Sequence, residues 1–272
     1  MSGPSTSGAL VVTTFNWPSA LDLVLESALG QSVLPAEVLV ADDGSAEETG
    51  SVIEGYVSRF AERGVPLRHV WHPDLGFRAG AIRNRAIAAA TQPYIILVDG
   101  DCVLHRDFVR SHLVFARRGH FVQGTRVLLD AETTRRALST RRTRWSALDG
   151  GLRNRLNALS LPWLSPLVPT SSNPLRGVRS ANMGLWRSDV VRVNGFDERF
   201  VGWGREDSEF VVRLTNAGVR RRKLKFGGIL YHLWHDEQPR DALAANDQLL
   251  AEIRASGARW CERGVDQYLA DR

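Results

Sequence analysis

Ile95-Ile96-Leu97-Val98-Asp99-Gly100-Asp101 is an apolar run that ends in two carboxylates separated by one glycine. The run predicts a buried strand. Side chains alternate along a strand, so Asp99 and Asp101 leave on the same side, and Gly100 lets a second backbone or a ligand come close. Two hard oxygen donors at the carboxyl end of a strand suit a divalent cation that carries phosphates. An Asp-Gly pair after a strand is equally an ordinary turn, so the neighbouring elements must decide between the two.

Upstream, short apolar strands alternate with amphipathic helices. Residues 10–14 predict a strand and 19–29 a helix; 37–41 predict a strand, followed by a helix over about 46–61 with Ser45 as its cap. Residues 67–71 predict a third strand, 79–90 a helix and 94–98 the fourth strand. This order implies an α/β fold with a mostly parallel sheet and helices on both faces. No Gly-x-Gly-x-x-Gly follows the first strand and no Gly-Lys-Ser/Thr loop occurs, which argues against a dinucleotide dehydrogenase or a P-loop ATPase. Acidic residues stand instead at the carboxyl ends of strands two and four, where open α/β sheets place their ligands.

The chain has 272 residues, 43% of them hydrophobic, enough for the core of one large domain or one domain with an added lobe. Its net charge of +5 draws on Arg135, Arg136, Arg141, Arg142, Arg144, Arg153 and Arg155. Such an excess favours nucleotide phosphates, anionic lipid head groups or nucleic acid. Cys102 and Cys261 give neither a metal spacing nor a disulfide framework, which fits a reducing compartment, and Cys102 reads as a packed thiol. No run approaches the roughly 18 apolar residues of a membrane span, and residues 1–8 lack a basic head and an apolar stretch. A cytoplasmic location is expected, with peripheral contact at the inner face of the membrane as a hypothesis.

Residues 1–8 are expected to be disordered, 9–130 to form an α/β half, 131–176 a basic amphipathic insertion, 177–238 a second cluster of chemistry and 239–272 a helical tail. In the insertion, Leu138, Trp145, Leu148, Leu152, Leu156, Leu159, Leu161, Trp163 and Leu164 fall among the arginines, ahead of Pro166, Pro169 and Pro174. Their near-helical spacing predicts a helix packed on the domain with a solvated arginine face, or one that docks on anionic lipid through Trp145 and Trp163.

Three further stretches carry chemistry. Asp42-Asp43-Gly44-Ser45 follows a buried strand, and a carboxylate there can accept hydrogen bonds from a nucleobase imide or ribose hydroxyls. Gly76-Phe77-Arg78-Ala79-Gly80-Ala81-Ile82-Arg83-Asn84 opens a helix whose first amides, with Arg78 and Arg83, can hold a diphosphate. Glu206-Asp207 opens the patterned helix 208–217 after Gly202-Trp203-Gly204; carboxylates there can cap a helix or do chemistry.

Val11-Val12-Thr13-Thr14-Phe15-Asn16, Ser27-x-x-x-Gln31-Ser32, Ala41-Asp42-Asp43-Gly44-Ser45, Gly76-Phe77-Arg78-x-x-x-x-Arg83-Asn84 and Val98-Asp99-Gly100-Asp101 together resemble the family 2 glycosyltransferases. Asn182-Met183, Gly195-Phe196-Asp197, Gly202-Trp203-Gly204-Arg205-Glu206-Asp207 and Tyr231-His232-Leu233-Trp234-His235 resemble the galactosyltransferase-type C-terminal segment of chondroitin-polymerase-like and β-1,4-galactosyltransferase-like enzymes. The likeness spans roughly residues 9–238. It implies the GT-A fold, a Rossmann-like mostly parallel sheet flanked by helices with an acceptor-binding C-terminal part.

The resemblance also implies roles. Asp43 would read the uracil or ribose of a nucleotide-sugar donor, with Thr13 and Asn16 in the same pocket and Asp99 nearer the ribose. Asp101 would ligate Mn2+ or Mg2+, with His232 or His235 completing the shell. Arg83 and the metal would steady the leaving diphosphate. Asp207 is the implied general base, Glu206 a hydrogen-bond acceptor for the acceptor sugar and Trp203 a face for sugar C–H groups, while Asn182 and Met183 would line the donor sugar and acceptor. Asn16-Trp17 replaces the commoner Asn-Arg, and Gly204-Arg205 replaces two glycines, which leaves donor and acceptor identities open. The implied reaction is an inverting transfer from a UDP-hexose or UDP-N-acetylhexosamine to a hydroxyl of a glycan or lipid-linked glycan. A nucleotidyltransferase is the rival enzyme, but residues 11–18 lack its glycine- and lysine-rich loop. A nucleic-acid or membrane binder would leave Asp99, Asp101, Glu206 and Asp207 without a purpose, since carboxylates repel a phosphate backbone.

Overall fold

The computed structural model describes residues 6–168, 173–236 and 239–269. Strands β1 (Gly8–Thr14), β2 (Glu37–Asp42), β3 (Leu67–Trp71) and β4 (Tyr94–Asp99) alternate with helices α1 (Pro18–Leu29), α2 (Glu47–Ala61) and α3 (Ala79–Ala89). Leu10, Val12, Val38, Val40, Ile96 and Val98 pack with α1 and α2 in one core. Ala9, Val11, Leu39, Ala41, Ile95 and Leu97 pack with α3 in a second core on the other face. A strand buried on both faces needs apolar residues at consecutive positions, which is why β1, β2 and β4 are unbroken apolar runs.

The chain continues through β5 (Cys102–Leu104), α4 (Phe108–Phe115), β6 (His120–Gln123), β7 (Arg126–Leu129), α5 (Ala131–Thr140) and β8 (Leu152–Arg153). It then forms β9 (Asn182–Trp186), α6 (Arg187–Arg192), α7 (Glu206–Asn216), β10 (Arg220–Lys223), β11 (Leu230–His232) and α8 (Leu243–Ser256). The main sheet has 7 strands in the order β10-β6-β9-β4-β1-β2-β3. Its strands β1 to β4 run parallel, and β9 lies antiparallel between β4 and β6. A second sheet, β5-β11-β7-β8, begins just past the end of β4.

Several expectations are corrected. Strand β1 starts at Gly8, inside the stretch expected to be disordered; residues 1–5 lie outside the described residues. Ala46, not Ser45, occupies the N-cap of α2. The Ser45 hydroxyl instead accepts from the Asn16 N–H (2.9 Å), and Asn16 Oδ1 accepts from the Ala46 N–H (2.8 Å), tying two loops together.

The basic insertion is no single amphipathic helix: α5 stops at Arg141, which is left-handed (φ 55°), and the rest is β8 with 3-10 turns at Arg155–Ala158 and Pro162–Leu167. Two contacts override the helical period. Arg141 pairs with Asp22 and Glu26 of α1, and Trp145 is buried against Tyr231 with ring centroids 4.9 Å apart, so Trp145 is core and not a docking residue. Trp163 is exposed, and Pro169 lies outside the described residues. In the tail, α8 ends at left-handed Gly257 (φ 66°), and after an irregular stretch a 3-10 turn places the Tyr268 ring 4.5 Å from the Arg85 guanidinium of α3. Among the described residues no helix is long and apolar enough to cross a membrane.

Candidate active site

The carboxyl ends of β1, β2, β4 and β11 and the first turn of α7 surround a cleft of about 1650 Å3. Thr13, Asn16, Asp43, Arg83, Asp99, Asp101, Trp203, Glu206, Asp207, His232 and His235 all line it.

Arg83 is the hub. It is 4% exposed, so its charge must be met by fixed partners. Parallel register sets Thr13 beside Asp99, and Arg83 donates from Nε to Thr13 Oγ1 (3.2 Å) and from Nη2 to Asp99 Oδ1 (3.0 Å). Its Nη1 lies 3.7 Å from Glu206 Oε1 and 3.8 Å from Asp207 Oδ1. One guanidinium therefore joins carboxylates separated by more than a hundred positions. Neither Arg83 Nη1 nor Asp207 Oδ1 has a hydrogen bond within the protein, although both are buried; paired orphans of this kind suit a hydroxyl-bearing ligand.

Asp43 is also buried, with Oδ1 2.7 Å from His72 Nε2 and Oδ2 accepting from the Arg78 N–H (2.8 Å). Burial pushes its carboxyl up, against the pull of those two bonds. His72 stands in no sequence motif; only the fold brings it to Asp43.

Asp99 and Asp101 have opposite surroundings. Burial, with Asp101 and Asp207 nearby, pushes Asp99 up to about 6 despite Arg83. For Asp101 burial is outweighed by His232, His235 and the Cys102 thiol, which hold it down at about 2. Asp101 Oδ2 lies 3.5 Å from His232 Nε2 and 3.2 Å from His235 Nε2. One carboxylate oxygen and two imidazole nitrogens thus fall within 4.8 Å of one another. His235 Nδ1 lies 2.6 Å from the Asp236 carbonyl, a contact that orients its ring. This mixed donor set fits a divalent transition metal such as Mn2+ better than Mg2+, which prefers oxygen.

The first turn of α7 carries Glu206 and Asp207, where the helix dipole favours negative charge, and its N-cap Arg205 is left-handed (φ 78°) with no side-chain cap. Asp207 Oδ2 accepts from the Ser180 N–H (2.9 Å). Burial, then the Asp207 charge, pushes Glu206 up to about 7, against Arg83. Trp203 keeps a face in the cleft, with the Arg240 guanidinium 5.4 Å from its ring centroid.

Three expected site residues are not brought to the cleft. Arg78 takes part through its backbone; its side chain donates to the Leu75 carbonyl (3.2 Å) and does not line the cleft. Asn182 pairs in register with Val98 inside the sheet, where its amide donates to the Thr125 and Gly228 carbonyls (2.8 Å each) and its Oδ1 lies 2.8 Å from His112 Nε2. Met183 is fully buried in the second core. The segment reaches the cleft one step earlier, through Val178, Arg179, Ser180 and Ala181. Arg126 and Arg153 also line the cleft; β7 and β8, which carry them, left no strand signal long enough to place them.

Residues 9–170 match the family described as glycosyl transferase family 2, and residues 169–236 match the N-terminal domain of galactosyltransferase. The chain is 27% identical over 240 residues to chondroitin synthase of Pasteurella multocida (strain Pm70), covering 82% of this chain and 24% of that protein. It therefore spans about a quarter of that relative's length. Among solved structures, TarS 1-349 of S. aureus in complex with UDP is similar, with TM-score 0.62, 16% identity and coverage of 97% of this chain and 70% of that one. Mannosyltransferase PcManGT from Pyrobaculum calidifontis in complex with GDP-Man and Mn2+ is similar with TM-score 0.57, 15% identity and coverage of 94% and 76%. The mixed α/β architecture with its mostly parallel sheet is the GT-A fold these structures share.

Proposed function

Since the chain belongs to glycosyl transferase family 2, we propose that it moves a hexosyl or N-acetylhexosaminyl group from a UDP-sugar to a hydroxyl of a glycan or lipid-linked glycan, with inversion at the anomeric carbon. The observation that carries this reading is the convergence of Asp99, Glu206 and Asp207 on buried Arg83, beside the Asp101–His232–His235 donor set. The reading puts the uracil or ribose at Asp43 and the diphosphate beside Arg83. A divalent metal, Mn2+ by the donor set, would be held by Asp101, His232 and His235 and would neutralise charge on the leaving diphosphate.

The protein's own groups do the rest. The acceptor hydroxyl oxygen forms the new bond to the anomeric carbon as the bond to the diphosphate breaks, and the electron pair leaves with UDP. The proton passes to Asp207 Oδ1, the oxygen that Ser180 leaves free. Glu206 accepts a hydrogen bond from the acceptor sugar, whose C–H face rests on Trp203. With one base and no second carboxylate required as nucleophile, the configuration inverts. Exposed Leu156, Trp163 and Leu167, with exposed Arg155 next to Leu156 in the chain, support peripheral contact with an anionic membrane carrying the acceptor. Equal sedimentation with anionic and neutral liposomes would remove that contact.

A thermal-shift panel of UDP-, GDP- and dTDP-sugars, with and without Mn2+, tests the reading. Selective stabilisation by UDP-sugars, lost with chelator, is expected. No stabilisation by any nucleotide-sugar would defeat it.

A further inference from the structure

We propose that Arg126, Arg153 and Arg179 form a subsite for an anionic group, a carboxylate or a phosphate ester, on the acceptor sugar; this rests on the glycosyltransferase reading above. In the antiparallel register of the smaller sheet, Arg153 of β8 pairs with Leu128 of β7. Residues 126 and 128 share a face, so Arg126 and Arg153 are diagonal neighbours, and Arg126, Leu128 and Arg153 all line the cleft. Arg179 enters the same cleft from the segment before β9.

Position relates this cluster to the chemistry. The Ser180 N–H that holds Asp207 Oδ2 (2.9 Å) belongs to the residue after Arg179. Arg179 is thereby tied to Asp207 through one backbone step, and the Asp207 charge acts on its guanidinium. Among the described residues none of the three arginines has a carboxylate within ion-pair distance, whereas Arg83, Arg141, Arg142, Arg199 and Arg213 all do. Burial, then the nearby Arg126 charge, pulls the Arg179 guanidinium below its ordinary value, with Asp207 pulling the other way. With no carboxylate at ion-pair distance the three guanidiniums keep their donors open to a ligand, and the guanidinium fork matches the paired oxygens of carboxylate and phosphate. The donor diphosphate has its own cation in Arg83, next to Asp99.

The test uses the full chain saturated with UDP and Mn2+, titrated calorimetrically with matched saccharides. One pair is a glucuronate-terminated oligosaccharide and its carboxyl-reduced form; the other is a phosphorylated oligosaccharide and its dephosphorylated form. The charged member of at least one pair should bind about tenfold tighter or more than its neutral twin, and the pair that responds identifies the anion. In the Arg126→Gln/Arg153→Gln/Arg179→Gln variant that preference should fall below about twofold, with UDP affinity unchanged. If the triple variant melts early, Arg153→Gln alone, at an exposed side chain, carries the comparison. Equal or absent binding within both pairs overturns the proposal. So does loss of UDP affinity at an unchanged melting temperature, which would give these arginines to the donor. A parent protein that fails to bind UDP with Mn2+ defeats the glycosyltransferase reading itself, and the two failures are thereby distinct.

Discussion

Asp207 has one oxygen tied and one loose: Oδ2 accepts from Ser180, while Oδ1 is buried without a hydrogen bond and 3.8 Å from Arg83. A base needs that asymmetry, because the tied oxygen fixes the carboxylate's direction and the loose one can take the proton. Asp207→Asn keeps the shape and the Ser180 bond but not the basicity. It should lower kcat by about a hundredfold or more while UDP affinity, read by calorimetry, stays within about twofold. An active Asn variant would move the base elsewhere. Asn182 presents the reverse case. The resemblance makes it part of a motif that would line the donor sugar and acceptor, yet the three hydrogen bonds of its side chain are all internal, to Thr125, Gly228 and His112. Asn182→Ala should strand those buried partners and cost about 2 kcal/mol or more in denaturant unfolding, with the UDP affinity of the folded protein preserved. A large loss of UDP affinity at unchanged stability would return Asn182 to the site.

At the scale of elements, the end of β4 is set by how closely β1 passes it. Gly100 N–H donates to the Thr13 carbonyl (2.6 Å), and a Cβ at Gly100 would stand 2.8 Å from Thr14 Oγ1 and 2.9 Å from Thr14 Cβ. Gly100→Ala must push the strands apart, so it should cost about 1–3 kcal/mol of stability and weaken Mn2+-dependent UDP binding by displacing Asp99 and Asp101. Normal melting and normal binding together would show that the close approach is dispensable. This strand was legible in the sequence because burial on both faces demands an unbroken apolar run, and the same holds for β1 and β2. Strand β3, with alternating exposure, was legible through its residue types. The smaller sheet was not. Its strands have only 2 to 4 residues, and β11 joins β5 and β7 across more than a hundred positions, so no local period marks them. That is why nothing in the sequence ties Arg126, or Arg153 of the basic insertion, to the cleft, while the motif residues at the ends of β1, β2 and β4 point to it.

Across the whole molecule, the cleft gathers Asp43, Asp99, Asp101, Glu206 and Asp207 where two sheets and α7 meet, and such gathering is expensive for the empty fold. Glu206 carries a readable share of that cost. Burial and the Asp207 charge raise it to about 7, above its ordinary 4.5, so the folded protein holds a proton there that the unfolded chain releases. Folded stability therefore falls as pH rises between those two values and stays lower above them. Glu206→Gln removes the ionisation but keeps an acceptor oxygen. It should leave stability near the parent's below the lower value, and exceed the parent by about 1–3 kcal/mol at pH 8, read from denaturant midpoints. The same variant should lose acceptor affinity, because a neutral amide accepts more weakly than a carboxylate. A Gln variant less stable than the parent at pH 8 would mean that the Glu206–Arg83 attraction at 3.7 Å outweighs desolvation and repulsion. The cleft would then be a relaxed ion-pair network, and not a site held at the fold's expense until a cation and a polar substrate enter it.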